Sequence, residues 1–167
     1  MSTKQDELWM QRALLLADKA AEQGEIPVGA ILVRDNDVLG EGWNQSITLN
    51  DPSAHAEMQA IRQAGMRAAN YRLVNTTLYV TLEPCPMCSG LLVHSRIQRL
   101  VFGASDLKSG AAGSVMDLVG DQRLNHQLEV VSGVLAEQCA DKLSSFFRVR
   151  RAEKKQAKLS AFKQGLP

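Results

Sequence analysis

His55-Ala56-Glu57 and Pro84-Cys85-Pro86-Met87-Cys88 are the two short stretches from which the rest of the chain can be read. Each stands where a helix is expected to begin. The first follows the polar segment 44–52, and the second follows the apolar run Leu78-Tyr79-Val80-Thr81-Leu82 directly. Cys85 and Cys88 are three apart, so on a first helical turn their sulfurs lie on one side and can grip one metal ion. His55 supplies a third ligand. Two thiolates and one imidazole leave a tetrahedral Zn²⁺ with an open fourth position for water, which distinguishes a catalytic zinc from a structural one.

Two thiolates also cancel the formal charge of the ion, so its water is less acidified than in an all-histidine site and benefits from a nearby base. Glu57 is the candidate. Positions i and i+2 point apart on a regular helix, so His55 and Glu57 serve one site only if the pocket lies over the helix N-terminus. Free N–H groups and the positive dipole end there favour thiolates and developing negative charge. Pro86 suits the first turn, where no N–H is needed.

Alone, Cys-x-x-Cys reads equally as a redox pair, half of a structural zinc knuckle, or chance. The added His-x-Glu weighs against these. A structural zinc needs a fourth protein ligand, and the candidates Cys139, His94 and His126 are far away and in no metal-type spacing. Cys139 reads as a small buried apolar residue and His94 as a packed or capping one.

The 167 residues, 45% hydrophobic and 22% charged, suit one globular domain with a substantial core. The polar, acidic start lacks an apolar leader and no run of 18 apolar residues occurs, so the expected location is the cytoplasm, with no membrane partner. Three cysteines, two of them in the motif, suggest no disulfide framework. The net charge of +1 conceals an asymmetry: residues 148–167 hold seven Lys or Arg against Glu153, whereas residues 1–147 hold 12 basic and 17 acidic groups. A tail of +6 on a body of −5 suits a polyanion such as nucleic acid. It also suits a plain solvated helix end. The expected division is therefore residues 1–147 as the metal-binding body and 148–167 as a basic helical tail of the same domain.

Residues 6–23 form an amphipathic pattern with Trp9, Ala13, Leu16, Ala17 and Ala20 on one face and Gly24 as the stop. Residues 28–33 and 38–43 read as a hairpin around Asp35-Asn36-Asp37. The helix opened by His55 continues through Ala60, Ile61 and Ala64, and the one opened by the cysteines through Leu91, Leu92 and Val93. Residues 99–104 and 128–132 read as further strands, 105–114 as a small-residue loop, and 136–147 as a helix running on toward the tail. Alternating strands and helices predict parallel neighbours with helices on both faces.

The paired motif resembles the signature of zinc-dependent nucleoside deaminases. Glu25-Ile26-Pro27-Val28-Gly29-Ala30, Tyr79-Val80-Thr81-Leu82-Glu83-Pro84, the stretch 99–103, Gly110-Ala111-Ala112-Gly113-Ser114 and Phe146-Phe147-Arg148 resemble the bacterial tRNA-specific adenosine deaminases across nearly the whole chain. The resemblance implies an α/β fold, a three-layer α/β/α sandwich with a mixed five-stranded sheet. It implies one Zn²⁺ per subunit on His55, Cys85 and Cys88, with Glu57 as catalytic proton carrier while hydroxide attacks adenine C6 and ammonia leaves. It also implies substrate contacts from Asn44, Asp106, Phe147, Arg148 and Arg150, and from Lys108 toward a phosphate. The implied partner is a tRNA anticodon stem-loop, with the wobble adenosine of an arginine tRNA as target, on a homodimer whose two subunits both touch the RNA. A guanine or cytosine deaminase acting on a free base or nucleoside is the runner-up, since it shares the metal chemistry but has no use for the basic tail.

Overall fold

The computed structural model describes residues 3–163; Met1, Ser2 and the last four residues of the basic tail lie outside the described residues. The chain begins with α1 (Lys4–Glu22). Thr3 starts it two residues earlier than the apolar pattern predicts, because the Thr3 hydroxyl accepts from the Asp6 N–H while the Asp6 carboxylate accepts from the Thr3 N–H. Beyond Gln23, Gly24 takes φ 76° and ends the helix as expected.

A hairpin follows, β1 (Gly29–Arg34) and β2 (Asp37–Trp43). Asp35 and Asn36 carry it at φ 48° and 65°, the left-handed pair that a two-residue turn between twisted strands requires. The polar stretch after β2 was expected as plain loop, but it contains one helical turn, α2 (Ser46–Leu49), closed by Asn50 in the left-handed conformation. Four residues are too few to carry a periodic signal.

Next come α3 (Ala56–Ala68), β3 (Thr77–Leu82), α4 (Pro86–His94) and β4 (Arg99–Ala104), then the short β5 (Glu129–Val131) and the long α5 (Ala136–Lys163). The strand order is β2-β1-β3-β4-β5. The first two pairings are antiparallel and the last two parallel, with Ala30 opposite Val80, Val80 opposite Phe102 and Leu100 opposite Val130. The sheet is therefore mixed and five-stranded, as expected. One expectation needs correcting: the parallel connection from β4 to β5 contains no helix, and residues 105–128 cross as irregular loop.

Helices cover both faces, which is why the strands read as continuous apolar runs. Ala30, Leu32, Leu78, Val80, Leu100 and Phe102 face Ala60, Ile61, Ala64, Leu92 and Val93 of α3 and α4. Their neighbours Ile31, Val33, Tyr79 and Val101 face Trp9, Met10, Ala13 and Leu14 of α1 together with Cys139 of α5. Glycines fix how closely α3 sits on β2. A Cβ on Gly40 or Gly42 would run into the α3 backbone at Ala60 or Ala56. Contact that close sets the height of the α3 N-terminus above the sheet, and with it the height of the site. No helix among the described residues is long and apolar enough to cross a membrane.

Candidate metal centre and base pocket

β3 ends at Leu82 and the chain turns through Glu83 and Pro84 to Cys85, the N-cap of α4, with Pro86 in the first turn. Beside it His55 is the N-cap of α3. Both caps have extended backbone, and neither side chain makes a capping hydrogen bond, so the imidazole and the thiol are left for other partners. The α3 N-terminus is satisfied instead by Asn44, whose Oδ1 accepts from the Ala56 N–H at 2.9 Å.

The two helix ends bring the three expected ligands together. His55 Nδ1 lies 3.6 Å from Cys85 Sγ and 3.6 Å from Cys88 Sγ, and the three donor atoms all lie within 4.8 Å of one another. Zn–N bonds of about 2.0–2.1 Å and Zn–S bonds of about 2.3 Å at a tetrahedral angle place nitrogen and sulfur about 3.6 Å apart. The residues therefore fit a zinc ion without rearrangement. Among these donors the electrostatics favour the thiolate at Cys85 alone. The hydrogen bond from Cys88 holds the Cys85 thiol down at about 4, against burial and with help from His55. That bond and burial push Cys88 up, and the bond to Cys85 raises His55.

Glu57 occupies the first turn of α3 and is buried. Burial pushes its carboxyl up to about 7, opposed by its own backbone N–H and by the His55 charge. Ligand and acid share one site because the site lies over the helix end, as the i, i+2 spacing demanded. A cavity of about 140 Å³ opens here, lined by Asn44, His55, Glu57, Cys85, Asp106 and Ser109 among others. Ile26, Val28 and Leu82 supply its apolar wall.

Not every expected contact residue reaches this cavity. Asp106 lines it, but its carboxylate is engaged by the Lys108 N–H and by the N–H and hydroxyl of Ser109. Lys108 is exposed outside it. Phe147, Arg148 and Arg150 lie on α5 and do not line it either. Arg150 instead stacks over Phe146 at 5.7 Å, stands 3.6 Å from Glu153, and borders a groove of about 770 Å³ between α1 and α5. His94 was expected to be packed or capping; it is exposed on the last turn of α4, its ring 6.2 Å from that of Tyr71. Cys139 is buried as expected, and burial raises its thiol to about 11. His126 bonds the Ile97 carbonyl through Nε2 at 2.7 Å.

The reading of the sequence missed Glu83. It is buried on the cavity wall and gathers hydrogen bonds from a loop more than twenty residues away. Its one visible signal is a carboxylate between an apolar strand and the cysteine motif, where a buried charge needs partners that the local sequence does not supply.

The chain is similar to known proteins over most of its length. The model of the cytidine and deoxycytidylate deaminase zinc-binding region matches residues 3–104. The tRNA-specific adenosine deaminase of Haemophilus influenzae is 61% identical over 151 residues, 90% of this chain and 87% of the relative. That of Bacillus subtilis is 49% identical, covering 92% and 96%. A solved tRNA:A34 deaminase, studied for A-to-I editing at the wobble position of transfer RNA, superposes with a TM-score of 0.79 at 40% identity, covering 81% of this chain and 99% of the other.

Proposed function

The chain belongs to the bacterial tRNA-specific adenosine deaminases, zinc-binding members of the cytidine and deoxycytidylate deaminase family, and from that premise we propose that it converts the wobble adenosine of an arginine tRNA anticodon to inosine. The observation that carries this reading is the meeting of His55, Cys85, Glu57 and Asn44 around one cavity of about 140 Å³. A cavity of that size suits one planar base and is well below the usual volume for a drug-sized ligand. Adenine C6 is inaccessible inside a paired helix, so the target must be an unpaired base swung out of its stack, and an anticodon loop offers one at modest cost.

Zinc bound by His55, Cys85 and Cys88 supplies the Lewis acidity that makes a water nucleophilic near neutral pH. The protein's own residues do the rest. The Glu57 carboxylate takes a proton from the attacking water and delivers it to adenine N1; it then carries the second proton to the departing N6 amine. Water and adenosine thus become inosine and ammonia. Asn44 lines the cavity with its Oδ1 committed to the Ala56 N–H, which leaves its NH₂ as the group to contact the nucleotide. Asp106, also part of the lining, contacts the sugar, and the exposed Lys108 meets a phosphate.

The cationic second half of α5 extends the contact. Phe147, Arg148 and Arg150 present an aromatic ring and two guanidiniums suited to an RNA loop. Residues 1–147 thus act as the catalytic body and 148–167 as a basic element of the same domain. The working unit is a homodimer with RNA touching both subunits, acting in the cytoplasm.

The test is inosine formation, read by sequencing, on a panel of unmodified tRNAs, with free adenosine, cytidine and guanine assayed for ammonia alongside. Conversion confined to a wobble adenosine is expected. Ammonia from a free base with every tRNA untouched would overturn the substrate assignment. In Glu57→Gln, turnover should vanish while metal analysis still finds zinc; loss of the metal would instead make Glu57 part of the binding site.

A further inference from the structure

Glu83 is buried on the wall of the catalytic cavity, and the chemistry above gives it no task. Its Oε1 accepts from the Ala112 N–H at 3.1 Å and the Ser114 N–H at 3.0 Å. Its Oε2 accepts from the Asp106 N–H at 2.9 Å and from the Ser114 hydroxyl. An ionised carboxylate offers about four lone-pair directions. All are taken, so Glu83 has none left for a substrate proton.

The four donors belong to one loop, residues 106–114, which crosses from β4 without a helix to stiffen it. The same loop places Asp106 and Ser109 on the cavity rim. Gly110 lets it close down, because a Cβ there would collide with the Glu83 carboxylate. Besides this cluster, the Ala111 N–H reaches the Pro84 carbonyl at 2.8 Å, so both anchors lie on the turn that carries Cys85. Asp106 is in turn held by its own bonds to Lys108 and Ser109. A chain of fixed groups therefore runs from the zinc turn through Glu83 to the rim that a nucleotide must pass.

We infer that Glu83 is a positioning residue for the nucleotide: its carboxylate locks the loop 106–114 to the zinc turn, so that Asp106 and Ser109 present one rigid rim to the base entering the cavity. The inference rests on the deamination proposed above. Because the rim touches the nucleotide outside the reacting atoms, its loss removes binding common to ground and transition state, which weakens half-saturation and spares the maximal rate. A purely structural role would do the reverse, lowering the competent fraction of enzyme, and so the maximal rate and zinc content, at constant half-saturation.

Steady-state inosine formation at limiting enzyme, followed across tRNA concentrations with zinc analysis in parallel, separates the two. Ser114→Ala alters an exposed residue whose hydroxyl donates to Glu83. It is expected to raise the half-saturating concentration about 3- to 5-fold, and Glu83→Gln at least about tenfold, with maximal rates within about threefold and zinc unchanged. Half-saturation unmoved in Ser114→Ala overturns the inference, as does a fall in maximal rate and zinc at constant half-saturation in either variant. If Glu83→Gln does not fold, Ser114→Ala decides by the same criterion. Absence of inosine from the unaltered protein on every tRNA would topple the substrate assignment itself, and the inference with it.

Discussion

A buried carboxylate destabilises a fold unless its oxygens are engaged, and Asp6 engages both. Arg99 donates to its two oxygens at 2.7 and 3.0 Å, the Thr3 N–H adds 2.8 Å and the Tyr79 hydroxyl 3.0 Å. Burial alone would raise the Asp6 pKa, but these bonds outweigh it and hold the group at about 2. The unfolded value is near 3.9, so folding favours the ionised form. The resulting stabilisation, about 2–3 kcal/mol, is fully present above about pH 4 and disappears as pH falls toward 2. Asp6→Asn should therefore lower unfolding stability in urea by about that amount at pH 7, and the gap to the parent should narrow steadily below pH 4. At the candidate metal centre, Cys88→Ala removes a fully buried thiol of the proposed ligand set. Metal analysis after dialysis should find far less than one zinc per chain, since two donors do not close a tetrahedral site.

At the scale of elements, α3 owes its seat to glycines. Gly42→Val would drive a branched side chain into the Ala56 carbonyl and the Ala60 N–H, so α3 must lift, and His55 at its N-cap with it. The expected cost is about 1–3 kcal/mol, read as a lower melting temperature accompanied by weaker zinc retention. α5 is the opposite case. At 28 residues it spans about 42 Å, and Cys139 is its one buried residue. Residues 147–160 are exposed throughout. Truncation before Arg148 should thus leave the melting temperature nearly unchanged and cut kcat/KM on tRNA by at least about tenfold, with a shallower dependence of binding on salt as phosphate contacts are lost. Equal turnover by the truncated chain would remove the tail from RNA binding.

For the whole molecule, the homodimer is open to direct measurement. Light scattering should give twice the 18.3 kDa chain mass, and a strictly monomeric mass at working concentration would defeat that part of the proposal. The elements that place the site were legible along the chain because each has a local cause. The hairpin has its Asp-Asn turn, α1 its apolar stripe and β4 its bounded apolar run, and both helix starts have their motifs. What escaped was α2, too short to show a period, and the helix-free crossing to β5, where parallel pairing rests on registry with β4 rather than on any local pattern.

The sequence by itself determined the metal chemistry: a histidine, two cysteines and a glutamate whose spacing works only over helix N-termini, on a chain whose alternating strands and helices demand a layered sheet. Local spacing decides such features because neighbours along a helix turn are neighbours in space. Only the tertiary structure decided that Asp6 meets Arg99 and Tyr79, that Asn44 caps the helix of His55, and that Glu83 binds the loop 106–114. Those partners are separated by 12 to 93 residues. Buried polar groups must be paired wherever the fold brings partners within reach, and no local pattern announces which partner that is.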